Sequence, residues 1–177
     1  MEANNSSYQD GDCWYVLHVR PRCEKKTAAY CSALPLYHYL PLTKERKKYQ
    51  RRQVEILKPL FPGYVFVRFR PEQRLSVLQS GQIARVLEVK DQARFIGEIE
   101  QIRKALGADP GLRACPALTT GMMVRITSGP FQGLEGIVVK AKAQTSPRRG
   151  QARVIINVDM IGQGVAIEAD EDILDRL

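Results

Sequence analysis

Apolar positions along this chain repeat with two periods, and each period marks elements. Residues 14–19 (WYVLHV) form a short aromatic and β-branched run suited to a strand, closed by Arg20-Pro21. Residues 23–34 then place Thr27, Ala28, Cys31 and Leu34 at helical packing spacing, with Lys25 and Lys26 toward solvent and Pro35 as the stop. Residues 37–42 suit another strand. The end of the segment 43–58 alternates through Val54 and Ile56 into the following strand, as a hairpin would. Residues 71–80 have an N-terminal Pro and Leu75 and Leu78 at i, i+3, which predicts a short helix ended at Gly81. Residues 83–89 (IARVLEV) predict a strand, and 95–106 a helix with Ile99, Ile102 and Leu106 on one stripe.

The stretch 60–69, LFPGYVFVRF, departs from simple alternation because both faces of its strand are apolar. With period 2, Val65, Val67 and Phe69 point one way while Tyr64, Phe66 and Arg68 point the other. Pro62-Gly63 sets the strand start, since Pro fixes φ and Gly permits a turn other residues resist. The first face belongs to a core under the helices. The second is expected to be uncovered, and a large exposed apolar face marks a partner site.

Residues 107–120 (GADPGLRACPALTT) show neither period and read as a linker. Beyond it, 122–127, 134–141, 152–159 and 164–169 are short β-rich runs separated by turn residues, the pattern of a small barrel or sandwich. Gly136 lies just inside the second run, where Gly marks a bulge or a close backbone approach. The polar loop 141–152 carries Arg148 and Arg149; contact with RNA and a solubilising role are both open for it.

Composition adds an ordinary globular chain of 177 residues, 44% hydrophobic and 26% charged, with a net charge of +8. The surplus is local. Residues 12–106 carry 19 Lys and Arg against 9 Asp and Glu, whereas 121–177 carry 7 against 7. Residues 20–52 hold 10 basic residues and only Glu24 and Glu45 as acids, which favours a polyanion partner over a merely solvated face. No apolar run reaches the length of a membrane span, and the polar, faintly acidic tail 1–11 reads as disordered and unlike a signal peptide. A cytoplasmic protein is expected. Cys13, Cys23, Cys31 and Cys115 show no metal-site spacing and read as reduced thiols. With no Gly-rich phosphate loop and only His18 and His38 as candidate bases, neither beside a nucleophile, an enzyme is not expected, nor a metal or cofactor.

Three segments carry a family resemblance. Residues 121–138 (GMMVRITSGPFQGLEGIV) look like a KOW motif, and WYVLHV and LFPGYVFVRF look like the signature strands of an NGN domain. Their order and spacing resemble the NusG family of transcription elongation factors from about Cys13 to Leu177. The implied architecture is α+β: an N-terminal α/β NGN sandwich over 12–106, antiparallel sheet with helices, and a C-terminal SH3-like β-barrel, the KOW domain, over 121–177.

In that family the NGN sheet docks on the β′ clamp helices of RNA polymerase and bridges toward the β subunit, which suppresses pausing and termination. Carried over, the resemblance assigns polymerase binding to Tyr64 and Phe66, with Val16 and His18 on the neighbouring strand. Core packing for Val16 and a surface histidine for His18 remain open alternatives. Arg20, Arg22, Lys25 and Lys26 would meet the non-template DNA strand as in RfaH-like members, and Lys44, Arg46, Lys47, Lys48, Arg51 and Arg52 the upstream duplex, with a solvated loop equally open for this second group. The KOW domain of the family binds a small-subunit ribosomal protein and, in general members, Rho. Phe131, Met160 and Ile161 are the contact candidates here, with core packing open for each. Gln163, where housekeeping members usually have Arg, speaks against Rho.

PLFPGYVFVRF, the basic segment before it and SGQIARV lean toward specialised RfaH-like antiterminators, with the general housekeeping NusG as the alternative. A KOW-type ribosomal or rRNA-binding protein is a further reading. It leaves the two-faced strand unexplained and would carry its charge on the barrel, which balances to zero.

Overall fold

A computed structural model describes residues 11–49, 52–139 and 151–177. The tail 1–11, except Gly11, and Arg51, Arg148 and Arg149 lie outside the described residues. The chain folds as two units, Met1–Leu42 with Leu57–Ala93, and Thr43–Ile56 with Arg94–Leu177.

The first unit is built on four strands. β1 (Cys13–Val19) and α1 (Glu24–Ala33) are followed by β2 (Tyr37–Tyr39). After the ribbon β3 (Leu42–Tyr49) and β4 (Arg52–Pro59) come β5 (Tyr64–Phe69), α2 (Arg74–Leu78) and β6 (Ile83–Glu88). The sheet order is β2-β5-β1-β6, every pair antiparallel. β4 pairs with β3 and not with β5, so the hairpin expected to run into LFPGYVFVRF is instead a separate two-stranded sheet. The physical reason is Phe61-Pro62-Gly63: this turn, with Gly63 at φ 84°, breaks the alternation and re-aims the chain.

The β1–β5 register sets Trp14 opposite Arg68, Val16 opposite Phe66 and His18 opposite Tyr64, so the two strands share their faces as the period-2 pattern requires. On one face Tyr15, Leu17, Val19, Val65, Val67 and Phe69 join Ala28 and Cys31 of α1 and Val77 of α2 in the core. Tyr15 stacks on Phe69 at 4.1 Å between ring centroids. The other face differs from expectation. Val16 and Phe66 have no exposed surface, and Trp14 and Arg68 are also buried. Phe61 meets Phe66 edge-on at 6.2 Å, Tyr39 stacks on it at 6.3 Å, and Arg68 lies over the Tyr37 ring at 5.1 Å. Phe66 and Arg68 thus sit among aromatic rings on a face that alternation alone left open.

The second unit holds α3 (Gln92–Ala108) from Arg94 onward and a six-stranded antiparallel sheet. Its strands are β7 (Ala114–Pro116), β8 (Met122–Ile126), β9 (Glu135–Val139), β10 (Gln151–Val158), β11 (Gln163–Asp170) and β12 (Leu174–Arg176), in the order β12-β8-β9-β10-β11-β7. β7 lies within the stretch read as linker and pairs with β11. α3 buries Phe95, Ile99, Ile102 and Ala105; its stripe runs through Ala105 rather than Leu106. Gly136 is a close approach, as expected: a Cβ there would sit 2.6 Å from the Ile155 carbonyl oxygen and 2.7 Å from Val154 Cγ1.

Candidate functional site

Among the residues assigned to polymerase docking, the fold brings all four together and exposes two. His18 and Tyr64 face each other across β1 and β5 with rings 5.3 Å apart; His18 is exposed and Tyr64 half-buried. Val16 and Phe66, next along the same face, are sealed. An exposed role is therefore withdrawn for them: they are packing beside the His18–Tyr64 pair on the same face. Alternation places these side chains on one face and carries no signal of what covers it.

The cations divide by unit. In the first, the turn 20–23 is closed by the Cys23 N–H donating to the Arg20 carbonyl at 3.1 Å. Val19 N–H donates to the Gly63 carbonyl at 2.8 Å and Arg20 N–H to that of Gln82 at 2.9 Å, so the turn sits on a fixed base. Arg20, Arg22, Lys25 and Lys26 are all exposed, and Lys25 Nζ donates to the Leu57 carbonyl at 2.7 Å. Arg22 has φ 64°, in the left-handed region that disfavours a side chain. Glu24, read from sequence only as an acid among bases, is 7% exposed, and its Oε1 accepts the Gly63 N–H at 2.8 Å. This carboxylate ties the start of α1 to the turn before β5.

In the second unit, Lys44, Arg46 and Lys48 are exposed and alternate along β3. Period 2 puts them on one face, about 6.8 Å apart. Arg46 Nε lies 3.2 Å from Glu55 Oε1 across the ribbon; Lys47 is half-buried and Arg52 exposed. The ribbon is tied down at its base: Thr43 Oγ1 donates to the Leu112 carbonyl at 2.7 Å and Lys44 N–H to that of Pro110 at 2.7 Å.

On the β-domain, Phe131 lies between Gly129 and Gly133, whose φ values are 84° and 82°, and is half-buried. Met160 and Ile161 occupy a 3-10 turn, Asp159–Ile161, that ends at Gly162 with φ 63°; both are half-buried. Sequence reasoning missed a polar cluster beside this turn. Glu98 Oε2 accepts the Asp159 N–H at 3.2 Å, Arg94 pairs with both Glu98 and Asp159, and Gln101 Oε1 accepts the Glu135 N–H at 2.6 Å. Burial, and next the Asp159 charge, push the Glu98 carboxyl above its ordinary pKa.

The thiols read as reduced are free, and burial pushes Cys31 up to about 12, so it is inert at neutral pH. Among the described residues no cluster of His, Cys, Asp and Glu could hold a metal ion, and no helix is long and apolar enough to cross a membrane.

The chain thus combines an antiparallel α/β unit carrying a basic turn with a second unit that holds the basic ribbon and a six-stranded β-sheet. The family model described as transcription termination factor NusG matches residues 12–106, and this chain belongs to the NusG family. It is similar to the transcription termination/antitermination proteins NusG of two bacteria. It is 28% identical to that of Deinococcus radiodurans over 137 residues, 67% of this chain and 69% of that protein. With that of Thermus thermophilus the figure is 24% over 182 residues, 89% of this chain and 94% of the relative. A solved structure titled "Domain interaction in Thermotoga maritima NusG" shares the fold, with a TM-score of 0.51 at 19% identity, covering 94% of this chain and 97% of that one. The chain is thus a transcription termination/antitermination factor by family, and the mixed α+β architecture read from sequence holds.

Proposed function

We propose that the chain binds RNA polymerase through the His18–Tyr64 face, at the β′ clamp helices and toward the β subunit, and suppresses pausing and termination. The observation that carries this reading is the ring pair itself. On a sheet face where Trp14, Val16, Phe66 and Arg68 are buried, the rings of His18 and Tyr64 remain accessible side by side, the arrangement of an interface anchor. Arg20, Arg22, Lys25 and Lys26 take the non-template strand, and the β3–β4 ribbon takes the upstream duplex. The division into an NGN domain over 12–106, a linker over 107–120 and a KOW domain over 121–177 belongs to the same proposal, with Phe131, Met160 and Ile161 meeting a ribosomal protein. Gln163 and the LFPGYVFVRF context favour a specialised RfaH-like factor in the cytoplasm over a general one that couples to Rho.

The test is transcription by purified polymerase on the chain's own genomic neighbourhood and on an unrelated template. Faster passage through pauses on the first alone supports the specialised reading; on both, the general factor. His18→Ala with Tyr64→Ala is expected to abolish the effect and polymerase pull-down while leaving the melting curve near wild type. Retained pull-down would remove the docking assignment, and capture of ribosomal particles without polymerase would remove the transcription mechanism.

A further inference from the structure

Glutamate is almost never buried unless its carboxylate is paired, yet Glu24 is buried at the start of α1. An acid in the first turn of a helix ordinarily serves the helix's own amides. Glu24 reaches away from them: its Oε1 accepts the Gly63 N–H at 2.8 Å, in the turn before β5. The Gly63 carbonyl accepts in turn from the Val19 N–H at 2.8 Å. Both main-chain groups of this glycine are therefore taken, one by α1 and one by the residue that follows His18.

The His18 ring stands immediately beside Gly63. A Cβ built on this glycine, whose φ is 84°, would sit 3.6 Å from His18 Cδ2 and 3.7 Å from Nε2, ordinary van der Waals distances. The same ring faces that of Tyr64 with 5.3 Å between centroids. Carboxylate, glycine, imidazole and phenol thus form one chain of contacts that begins at a buried group and ends at an accessible one. An exposed side chain that is ordered only on binding loses rotamer freedom at that moment, and a turn that orders it beforehand removes part of the loss.

We propose that Glu24 is a positioning residue for docking: by fixing Gly63 it holds the His18 ring in the orientation that, with Tyr64, meets polymerase. This role rests on the reading of His18 and Tyr64 as the docking pair and adds the group that orders the pair before the partner arrives. Glutamate suits it because the side chain is an acceptor long enough to reach from α1 to the turn, where aspartate is one methylene short.

Two measurements on the full chain test it. Without any partner, the His18 ring protons carry the ring-current shift of nearby Tyr64 in NMR spectra. Glu24→Ala should move these signals toward their positions in Tyr64→Leu, whereas Glu24→Gln, which keeps an acceptor for the Gly63 N–H, should leave them in place. In titrations onto purified core polymerase, Glu24→Ala should weaken binding about fivefold, the worth of ordering one side chain, with Glu24→Gln near wild type and Glu24→Asp between. In a His18→Ala background Glu24→Ala should weaken binding no further, while its effect on the melting temperature persists. Should Glu24→Ala fail to fold, Glu24→Asp carries the same comparisons. Ring signals that do not move, or a fivefold loss that persists without His18, would overturn the positioning role and leave the docking reading standing. If His18→Ala with Tyr64→Ala binds polymerase as wild type does, the docking reading falls, and the role of Glu24 falls with it.

Discussion

Glu24 keeps a carboxylate 7% exposed because the Gly63 N–H is donated to it across the turn at 2.8 Å. Glu24→Ala is expected to cost about 1–3 kcal/mol in urea unfolding, the desolvation of an orphaned amide. Phe66 lies at the other extreme. It looks like an anchor in the alternation of β5, yet with no exposed surface and rings of Phe61 and Tyr39 about it, Phe66→Ala should destabilise by about 3–5 kcal/mol. A loss of polymerase binding in that variant would report unfolding, whereas the same loss in Tyr64→Ala would report docking. Gly136→Ala is the β-domain counterpart: the added Cβ meets a backbone carbonyl that cannot step aside, for about 1–3 kcal/mol by thermal unfolding.

At the scale of elements, β1, α1, β5, β6 and α3 were legible because each has enough residues to display a period. β7 and β12, of three residues each, carry no period at all, and their pairing depends on strands remote in sequence. For the same reason the partner of β4 and the covering of the second sheet face were not legible: alternation says which side chains share a face, not what lies over it. Half of the proposed docking site therefore survived as surface and half became packing. The ribbon was legible as charge and as strands. Its row Lys44, Arg46 and Lys48 points outward and, among the described residues, bears only the exposed Arg46–Glu55 pair, with side chains 76% and 52% exposed. Changing all three to Ala should cost the fold little, below about 1 kcal/mol. On duplex DNA it should lower the slope of log affinity against log salt by about 0.9 for each phosphate contact removed. An unchanged slope would assign the ribbon to another partner.

At the scale of the whole molecule, the two units should respond to acid in opposite senses. Burial lowers the pKa of His38, whose Nδ1 lies 3.2 Å from the Leu36 carbonyl, so the first unit holds the neutral ring. Its contribution is present above the ordinary value of 6.5 and is lost as the pH falls from there through the lowered value. Glu98 in the second unit is raised, by burial first and Asp159 next. Its contribution is full below the ordinary value of 4.5 and is lost as the pH rises through the raised value. Hydrogen exchange followed from pH 7 toward 5 should therefore show faster opening around β2 and slower opening at the Asp159 amide, which Glu98 accepts. Glu98→Gln should flatten the second trend and leave the first.

Every arginine codon lies one nucleotide away from a glycine codon, so the left-handed backbone at Arg22 is never more than a point mutation from relief. A library drifting under selection for folding alone should collect Gly at this position early. One selected for transcription in the cell should not, and the ratio of the two frequencies would measure what the guanidinium contributes to fitness.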